Sequence, residues 1–123
     1  MLNEPVMRLV VQPVVENAIV HGIEPKTGHG TVLITGYREL DWNILLIEDS
    51  GEGMTGQEIE ESTLLLDQPM NSNTGCGLWN VHQRLKHRFG QGAGVIVKSS
   101  ERLSGLCVML RWRREQDSKG ESV

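Results

Sequence analysis

Apolar residues recur at helical spacing in three segments of the chain. The first covers residues 4–22, and Pro13 inside it predicts either a kink or a regular helix that starts near Pro13. The second covers residues 55–66 and opens on a polar, acidic turn that is typical of a helix start. The third, residues 78–89, has the clearest amphipathic pattern and is followed by Gly90. The pattern therefore predicts three helices.

Four short segments rich in β-branched and aliphatic residues predict strands. Residues 31–37 and 43–48 flank a polar turn around residues 39–41, as in an antiparallel hairpin. Residues 94–99 and 106–113 form a second pair. Because the strands come in pairs and do not alternate with helices, we expect a two-layer α/β sandwich. Three helices would cover one face of a mixed or antiparallel sheet of four or five strands.

Composition and charge narrow the class of protein. The 123 residues carry 12 basic and 16 acidic side chains, a net charge of −4, and we expect one domain over residues 1–114 and a polar tail over residues 115–123. The negative charge argues against a nucleic-acid partner. Apolar runs are too short to cross a bilayer, so the chain itself is not expected to be embedded in a membrane. Two cysteines are too few for a disulfide framework.

Three clusters of polar residues and glycines lie at the ends of predicted elements. Residues 16–22 read E-N-A-I-V-H-G, and Asn17 and His21, four residues apart, share one face of the first helix. That polar face suits a metal–phosphate unit. Residues 48–54 read E-D-S-G-E-G-M, in which glycines let the backbone approach a ligand that Asp49 would bind. Residues 74–80 read T-G-C-G-L-W-N before a helix, whose free N–H groups favour phosphate.

Each cluster by itself has an ordinary structural interpretation. A D-x-G-x-G sequence is most often turn chemistry, and G-x-G before a helix can be a tight entry turn. Asn17 could solvate a helix face, and His21 could complement the helix dipole. The occurrence of all three clusters in one short domain, in this order, favours a nucleotide site.

The three clusters together resemble the ATP-binding domain of sensor histidine kinases, a member of the class that includes gyrase, the heat-shock chaperone ATPases and MutL. The similarity is strongest to the LytS/YesM branch, whose L-Q-P-L-V-E-N-A-I-K-H-G is matched by V-Q-P-V-V-E-N-A-I-V-H-G at residues 11–22. Residues 48–54 look like the first glycine box of that family, and residues 75–85, G-C-G-L-W-N-V-H-Q-R-L, look like the second. The resemblance implies the Bergerat ATP-binding fold, which is a two-layer α/β sandwich.

The resemblance also implies roles for individual residues. Asn17 would ligate Mg²⁺, with His21 on the same helix face, and Asp49 would accept a hydrogen bond from the adenine amino group, which selects adenine over guanine. Residues 55–74 would be the ATP lid. The remaining candidates are three residues of the pocket wall, Gly51, Gly53 and Met54, and three residues that would meet the phosphates, Gly75, Gly77 and Leu78.

Four positions depart from the family pattern. Val20 stands where Lys or Arg is frequent, which removes a phosphate contact. Ser50 replaces the usual Asn, and Leu106 replaces a Thr after the glycine that opens the last strand. Glu16 adjoins Asn17, whereas gyrase-like ATPases have their catalytic glutamate four residues before the asparagine. Glu16 as a general base is therefore an alternative to a structural or charge-pairing role for this residue.

The resemblance implies a Mg²⁺·ATP-binding catalytic domain that donates the γ-phosphate of ATP to a histidine on a dimerisation domain, with a response regulator as a further partner. None of the chain's four histidines has the family's phosphoacceptor context, so we expect this chain to bind ATP without phosphorylating itself. It would be a cytoplasmic domain of a longer, membrane-anchored kinase. The alternatives are a standalone ATPase or anti-sigma-like Ser/Thr kinase of the same class, and an interaction domain with degenerate glycine boxes.

Overall fold

The structure is a computed structural model that describes residues 5–22, 28–69 and 76–113. Three helices and four strands follow the predicted order. The helices are α1 (Pro5–Gly22), α2 (Gly56–Leu66) and α3 (Cys76–Phe89), and the strands are β1 (Val32–Glu39), β2 (Trp42–Asp49), β3 (Gly94–Ser99) and β4 (Leu106–Arg113). The strands form one sheet in the order β1-β2-β4-β3, and all three pairings are antiparallel. Of the mixed and antiparallel sheets considered above, the antiparallel one is present.

Helix α1 is continuous through Pro13, so the alternative of a regular helix that starts near Pro13 is wrong. The missing N–H group of Pro13 costs one backbone hydrogen bond, but the apolar side of the helix compensates through packing. Val10, Val14 and Ala18, four residues apart, are buried in the core. Val6 and Leu9 continue the same helical spacing, and their side chains lie outside the described part of the chain. Packing thus outweighs the local preference of one proline.

The start of α2 is fixed by a capping box. The Thr55 hydroxyl accepts a hydrogen bond from the Glu58 N–H group (3.1 Å), and the Glu58 carboxylate accepts one from the Thr55 N–H group (2.8 Å). Both donors are otherwise unpaired at a helix start. The predicted boundary at Thr55 is confirmed, because this residue is the N-cap.

One face of the sheet packs against the helices. Alternate residues of the central strands, among them Leu45, Ile47, Val108 and Leu110, are buried in a core shared with the helices. On α3, Val81 and Leu85 contribute fully buried side chains to the same core, and Leu78 and Phe89, at the same helical spacing, pack at its border. The predicted two-layer sandwich is therefore confirmed. No helix in the described ranges is long and apolar enough to span a bilayer.

The opposite face of the sheet carries polar and apolar side chains in alternation with the core positions. Trp42 lies there between two guanidinium groups, with Arg111 at 4.1 Å and Arg113 at 4.5 Å from its ring centroid. Cys107, paired with Glu48 across the β2–β4 ladder, is also fully buried. Burial raises the pKa of the Cys107 thiol to about 11, and the nearby charge of Glu48 adds to this shift.

The raised pKa of Cys107 predicts slow thiol chemistry in the folded state. In a Cys76→Ser variant, the remaining thiol should react with an aromatic disulfide reagent about 100-fold more slowly at about pH 8 than after denaturation, because little thiolate is present. The absorbance of the released thiolate measures both rates. Equal rates in the folded and denatured states would contradict the burial of Cys107.

Candidate functional site

The carboxylate of Asp49 lies at the end of β2 and is 3% exposed. Its Oδ1 atom accepts hydrogen bonds from the N–H groups of Gly51 (2.9 Å) and Leu106 (3.1 Å). Two backbone donors on one oxygen fix the orientation of the carboxylate. Both backbone N–H groups donate to Oδ1, so Oδ2 is the oxygen with which Asp49 can bind a ligand.

Gly105, which directly precedes β4, lies against this carboxylate. A Cβ atom at Gly105 would overlap the carbonyl oxygen and Oδ1 of Asp49 and would come within 2.7 Å of the Gly51 nitrogen. The Gly105 carbonyl in turn accepts a hydrogen bond from the Ser100 N–H group (2.8 Å). Glycine is therefore required at position 105, because a side chain would displace the turn that holds Asp49.

The end of α1 packs on the other side of Asp49. A Cβ atom at Gly22 would lie 2.8 Å from the Asp49 Cβ atom, so helix and strand approach as closely as backbone allows. Ser50 ties the same corner: its hydroxyl accepts from the Thr31 N–H group (2.9 Å) and donates to the Gly22 carbonyl at 3.4 Å. The departure from asparagine at Ser50 thus leaves a side chain that joins α1, β1 and β2.

The polar residues of α1 lie in the turns before Gly22. Asn17 is half-buried and lies five residues earlier, about 7.5 Å along the helix axis. The His21 side chain lies outside the described part of the structure, although its backbone closes α1. Glu16 is exposed, and its carboxylate accepts a hydrogen bond from Gln12 Nε2 at 3.0 Å. The observed partner of Glu16 is thus a neighbour on the helix surface.

The glycine-rich turn after β2 packs onto the start of β4. Gly53 has a positive φ of 73°, and a Cβ atom there would come within 3.4 Å of the Gly105 carbonyl oxygen. A side chain at Gly53 would therefore be strained by the positive φ and by close contact with Gly105. Met54 follows at the border of the core. The structure therefore brings Asp49, Gly51 and Gly53 together at one corner of the sheet, as the sequence predicts.

The third cluster is described only from Cys76 onward, and Gly75 lies outside the described residues. Gly77 is exposed in the first turn of α3, and a Cβ atom there would meet no atom within 4 Å. Leu78 is half-buried at the border of the core. Packing therefore places no demand for glycine at position 77, in contrast to position 105.

The sequence motifs do not identify Gly22 and Leu106 as residues that contact Asp49. Gly22 stands in the sequence only as the end of the first cluster, and Leu106 only as a departure from threonine. The structure shows that Leu106 contributes its backbone N–H group, which any residue except proline supplies, while its side chain is buried. The signal was present in the sequence as Ser-Gly before an apolar strand, but the contact with Asp49 spans 57 residues.

Comparisons with known proteins agree with this fold. Residues 3–116 match the family described as histidine kinase-, DNA gyrase B- and HSP90-like ATPase. The chain is 28% identical to the sensor histidine kinase YesM of Bacillus subtilis over 109 residues, which are 88% of this chain and 17% of YesM. It is 39% identical to the sensor histidine kinase YpdA of Escherichia coli over 87 residues, which are 71% of this chain and 15% of YpdA.

The same fold occurs in the catalytic domain of the histidine kinase ThkA. The TM-score is 0.68 at 17% sequence identity, over 88% of this chain and 66% of the other. The fold is thus the α/β sandwich of histidine kinase catalytic domains. The chain belongs to the histidine kinase-, DNA gyrase B- and HSP90-like ATPase family, as the resemblance to the LytS/YesM branch predicts. It spans less than a fifth of the length of YesM and YpdA.

The contrast between Gly105 and Gly77 gives a matched pair of substitutions. Gly105→Ala should lower the free energy of unfolding by about 2 kcal/mol or more, because the added methyl group overlaps backbone that cannot move independently. Gly77→Ala should change it by less than about 1 kcal/mol, since the site is open and alanine favours helix. Urea denaturation measures both values. Equal losses in the two variants would contradict the close packing of Gly105 on Asp49.

Proposed function

We propose that this chain binds ATP at the corner formed by α1, the turn after β2 and the start of β4, with Asp49 as the adenine-binding group. The buried carboxylate of Asp49, whose Oδ1 atom is occupied by two backbone N–H groups, carries this proposal. A buried carboxylate held in this way needs a donor for its second oxygen. The amino group of adenine is such a donor.

Asp49 would also decide which base is bound. Adenine presents an amino group where guanine presents a carbonyl, and a carboxylate oxygen accepts hydrogen bonds but repels another acceptor. The close approach of Gly22 and Gly105 to Asp49 supports a role for the surrounding backbone as the walls of a flat base site. ATP should therefore be bound in preference to GTP.

The phosphates and Mg²⁺ would lie along α1 and at the start of α3. The half-buried amide of Asn17 offers an oxygen of the kind that Mg²⁺ prefers, while the ion is otherwise held by phosphates and water. The exposed first turn of α3, with Gly77 and Leu78, offers N–H groups to phosphate. Val20 is 73% exposed and brings no positive charge, so we expect the triphosphate to be bound without a lysine or arginine at that position.

We further infer that the chain is the catalytic domain of a sensor histidine kinase. In that role it donates the γ-phosphate of ATP to a histidine on a dimerisation domain, from which a response regulator receives it. The sensor kinases YesM and YpdA, each several times longer than this chain, support this inference. The chain would then be the cytoplasmic part of a membrane-anchored protein. A standalone ATPase, a Ser/Thr kinase and an interaction domain are the competing functions.

Substitution of Asp49 by asparagine tests the adenine site with little change to the fold. The amide oxygen can keep the two hydrogen bonds of Oδ1, whereas the amide nitrogen opposes the adenine amino group with a second donor. Asp49→Asn should weaken Mg²⁺·ATP binding about 30-fold or more, the equivalent of about 2 kcal/mol. Calorimetric titration measures the affinity, and circular dichroism checks the fold.

Asp41→Asn is the matched control for this substitution. Asp41 lies in the β1–β2 turn, 4.0 Å from Arg113, and its variant should bind ATP as the wild type does. GTP should give no heat with the wild type or with Asp41→Asn, since Asp49 opposes the guanine carbonyl in both. Equal affinity of the Asp49→Asn variant and the wild type would contradict the role of Asp49, and no binding by the wild type would favour the interaction domain.

The separation of ATP binding from phosphoryl transfer gives a second test. Incubation of the chain with γ-labelled Mg²⁺·ATP should leave it unlabelled, because transfer requires an acceptor histidine positioned against the γ-phosphate. Acid-labile label would appear only when a dimerisation domain of a kinase of this branch is added. Stoichiometric acid-labile labelling of the isolated chain would contradict the expectation, and release of phosphate without any partner would favour a standalone ATPase.

A further inference from the structure

One face of α3 binds the end of α2 through polar side chains. The positions 79, 82, 83 and 86 are separated by three, four and seven residues from the first of them, so these side chains share one side of the helix. All four contact the last residue of α2 or the two residues that follow it. We call these four side chains the α3 clasp: Trp79, His82, Gln83 and Lys86.

The α3 clasp binds two backbone carbonyl groups as well as the Asp67 side chain. Trp79 Nε1 donates to the Gln68 carbonyl (2.8 Å), and Gln83 Nε2 donates to the carbonyl of Leu66, the last residue of α2 (2.7 Å). Carbonyl groups at a helix end have no partner within the helix, so these bonds satisfy groups that would otherwise face solvent. The end of α2 is thereby held at one place on α3.

His82 is the centre of the clasp. Its ring is buried, and Nδ1 accepts a hydrogen bond from the Val95 N–H group of β3 (2.8 Å). An acceptor at Nδ1 requires the ring proton to be on Nε2, which lies 2.7 Å from Asp67 Oδ1 and donates to it. A Cβ atom at Gly94 would lie 2.6 Å from the ring, so β3 closes one side of the imidazole. His82 therefore links α2 to β3 in a single orientation.

The acceptor of this bond is a half-exposed carboxylate. The hydrogen bond from His82 lowers the pKa of Asp67, a second contribution comes from Lys86 at 3.4 Å, and partial burial opposes both. Asp67 is thus ionised at neutral pH and binds the clasp as an anion. Because its side chain is 61% exposed, its removal leaves a position that water can fill.

The location of the clasp connects it with the proposed nucleotide site. Asp67 directly follows α2, and Cys76 begins the first turn of α3, where Gly77 and Leu78 would meet phosphate. His82 and Asp67 therefore join the two sides of the connection between α2 and α3. Conformational freedom at either end lowers the fraction of molecules that are ready to bind, and the apparent affinity falls by that fraction.

We propose that His82 is a positioning residue for nucleotide binding, which acts through Asp67 to fix the end of α2 on α3. This inference rests on the proposed binding of ATP by this chain. It assigns to the histidine two separable functions: Nδ1 supports the fold through Val95, and Nε2 supports nucleotide binding through Asp67.

Asparagine and glutamine separate these two functions at position 82. The Oδ1 atom of asparagine occupies the place of Nδ1 and can accept from Val95, but its amide nitrogen does not reach Asp67. The Nε2 atom of glutamine occupies the place of the histidine Nε2 and can donate to Asp67, but it leaves the Val95 N–H group unpaired. Asp67→Ala removes the acceptor from an exposed position, and His87→Asn, at an exposed histidine of the same helix, is the control.

Calorimetric titration with Mg²⁺·ATP and thermal unfolding should give opposite orders for the two His82 variants. His82→Asn and Asp67→Ala should each bind ATP about five- to tenfold more weakly, because the loss of one solvent-accessible hydrogen bond lowers the population of the binding-competent state. The double variant should bind no more weakly than either single one. His82→Gln and His87→Asn should bind within about twofold of the wild type. His82→Gln should nevertheless have a lower melting temperature than His82→Asn, because it leaves a buried donor unpaired.

Two results would overturn the role of His82 while the wild type binds ATP. One is an affinity within twofold of the wild type for both His82→Asn and Asp67→Ala. The other is a loss of affinity that follows the loss of stability, largest in His82→Gln, which would mark the histidine as purely structural. If the wild type itself binds no ATP, the proposed function fails and the role of His82 falls with it.

Discussion

The site depends on one buried carboxylate oxygen that accepts hydrogen bonds from two backbone N–H groups. Asp49 Oδ1 joins the turn that follows β2 to the first residue of β4, and these segments are far apart in sequence. The bonds require backbone at van der Waals contact, which glycine at position 105 allows. The other oxygen of Asp49 is thereby oriented by groups whose positions are set by the sheet itself. A carboxylate held in this way is suited to the proposed recognition of a base.

Helix α1 contributes to this corner at its end. α1 buries Val10, Val14 and Ala18 against the sheet, and this packing brings its last residue, Gly22, against Asp49. α3 buries Val81 and Leu85 on one side and carries the clasp on another. The apolar side of each of these two helices thus fixes its position, and the proposed binding groups lie on the polar side or at the end. This division explains how 123 residues can hold both a core and a binding corner.

Local patterns were sufficient for the elements, and contacts distant in sequence were not accessible from them. Strands β3 and β4 have the predicted bounds, and the capping box at Thr55 fixes α2 where predicted. The alternative of a helix start near Pro13 is wrong, because burial of the neighbouring apolar residues of α1 outweighs one lost hydrogen bond. For the proposed site, the motifs predict Asp49 and its glycines. Gly22, Gly105 and His82 acquire their roles only through tertiary neighbours, which no spacing in the sequence reveals.

The most direct test of the central claim is the shift of backbone amide resonances on titration with Mg²⁺·ATP. If Asp49 binds the adenine base, the amides of Gly51, Gly53 and Leu106 should show the largest shifts around the sheet corner, because they surround or bind the carboxylate. Asp41 and the β1–β2 turn, at the opposite end of β2, should not move. Saturable binding that leaves Gly51 and Leu106 unshifted would contradict the claim.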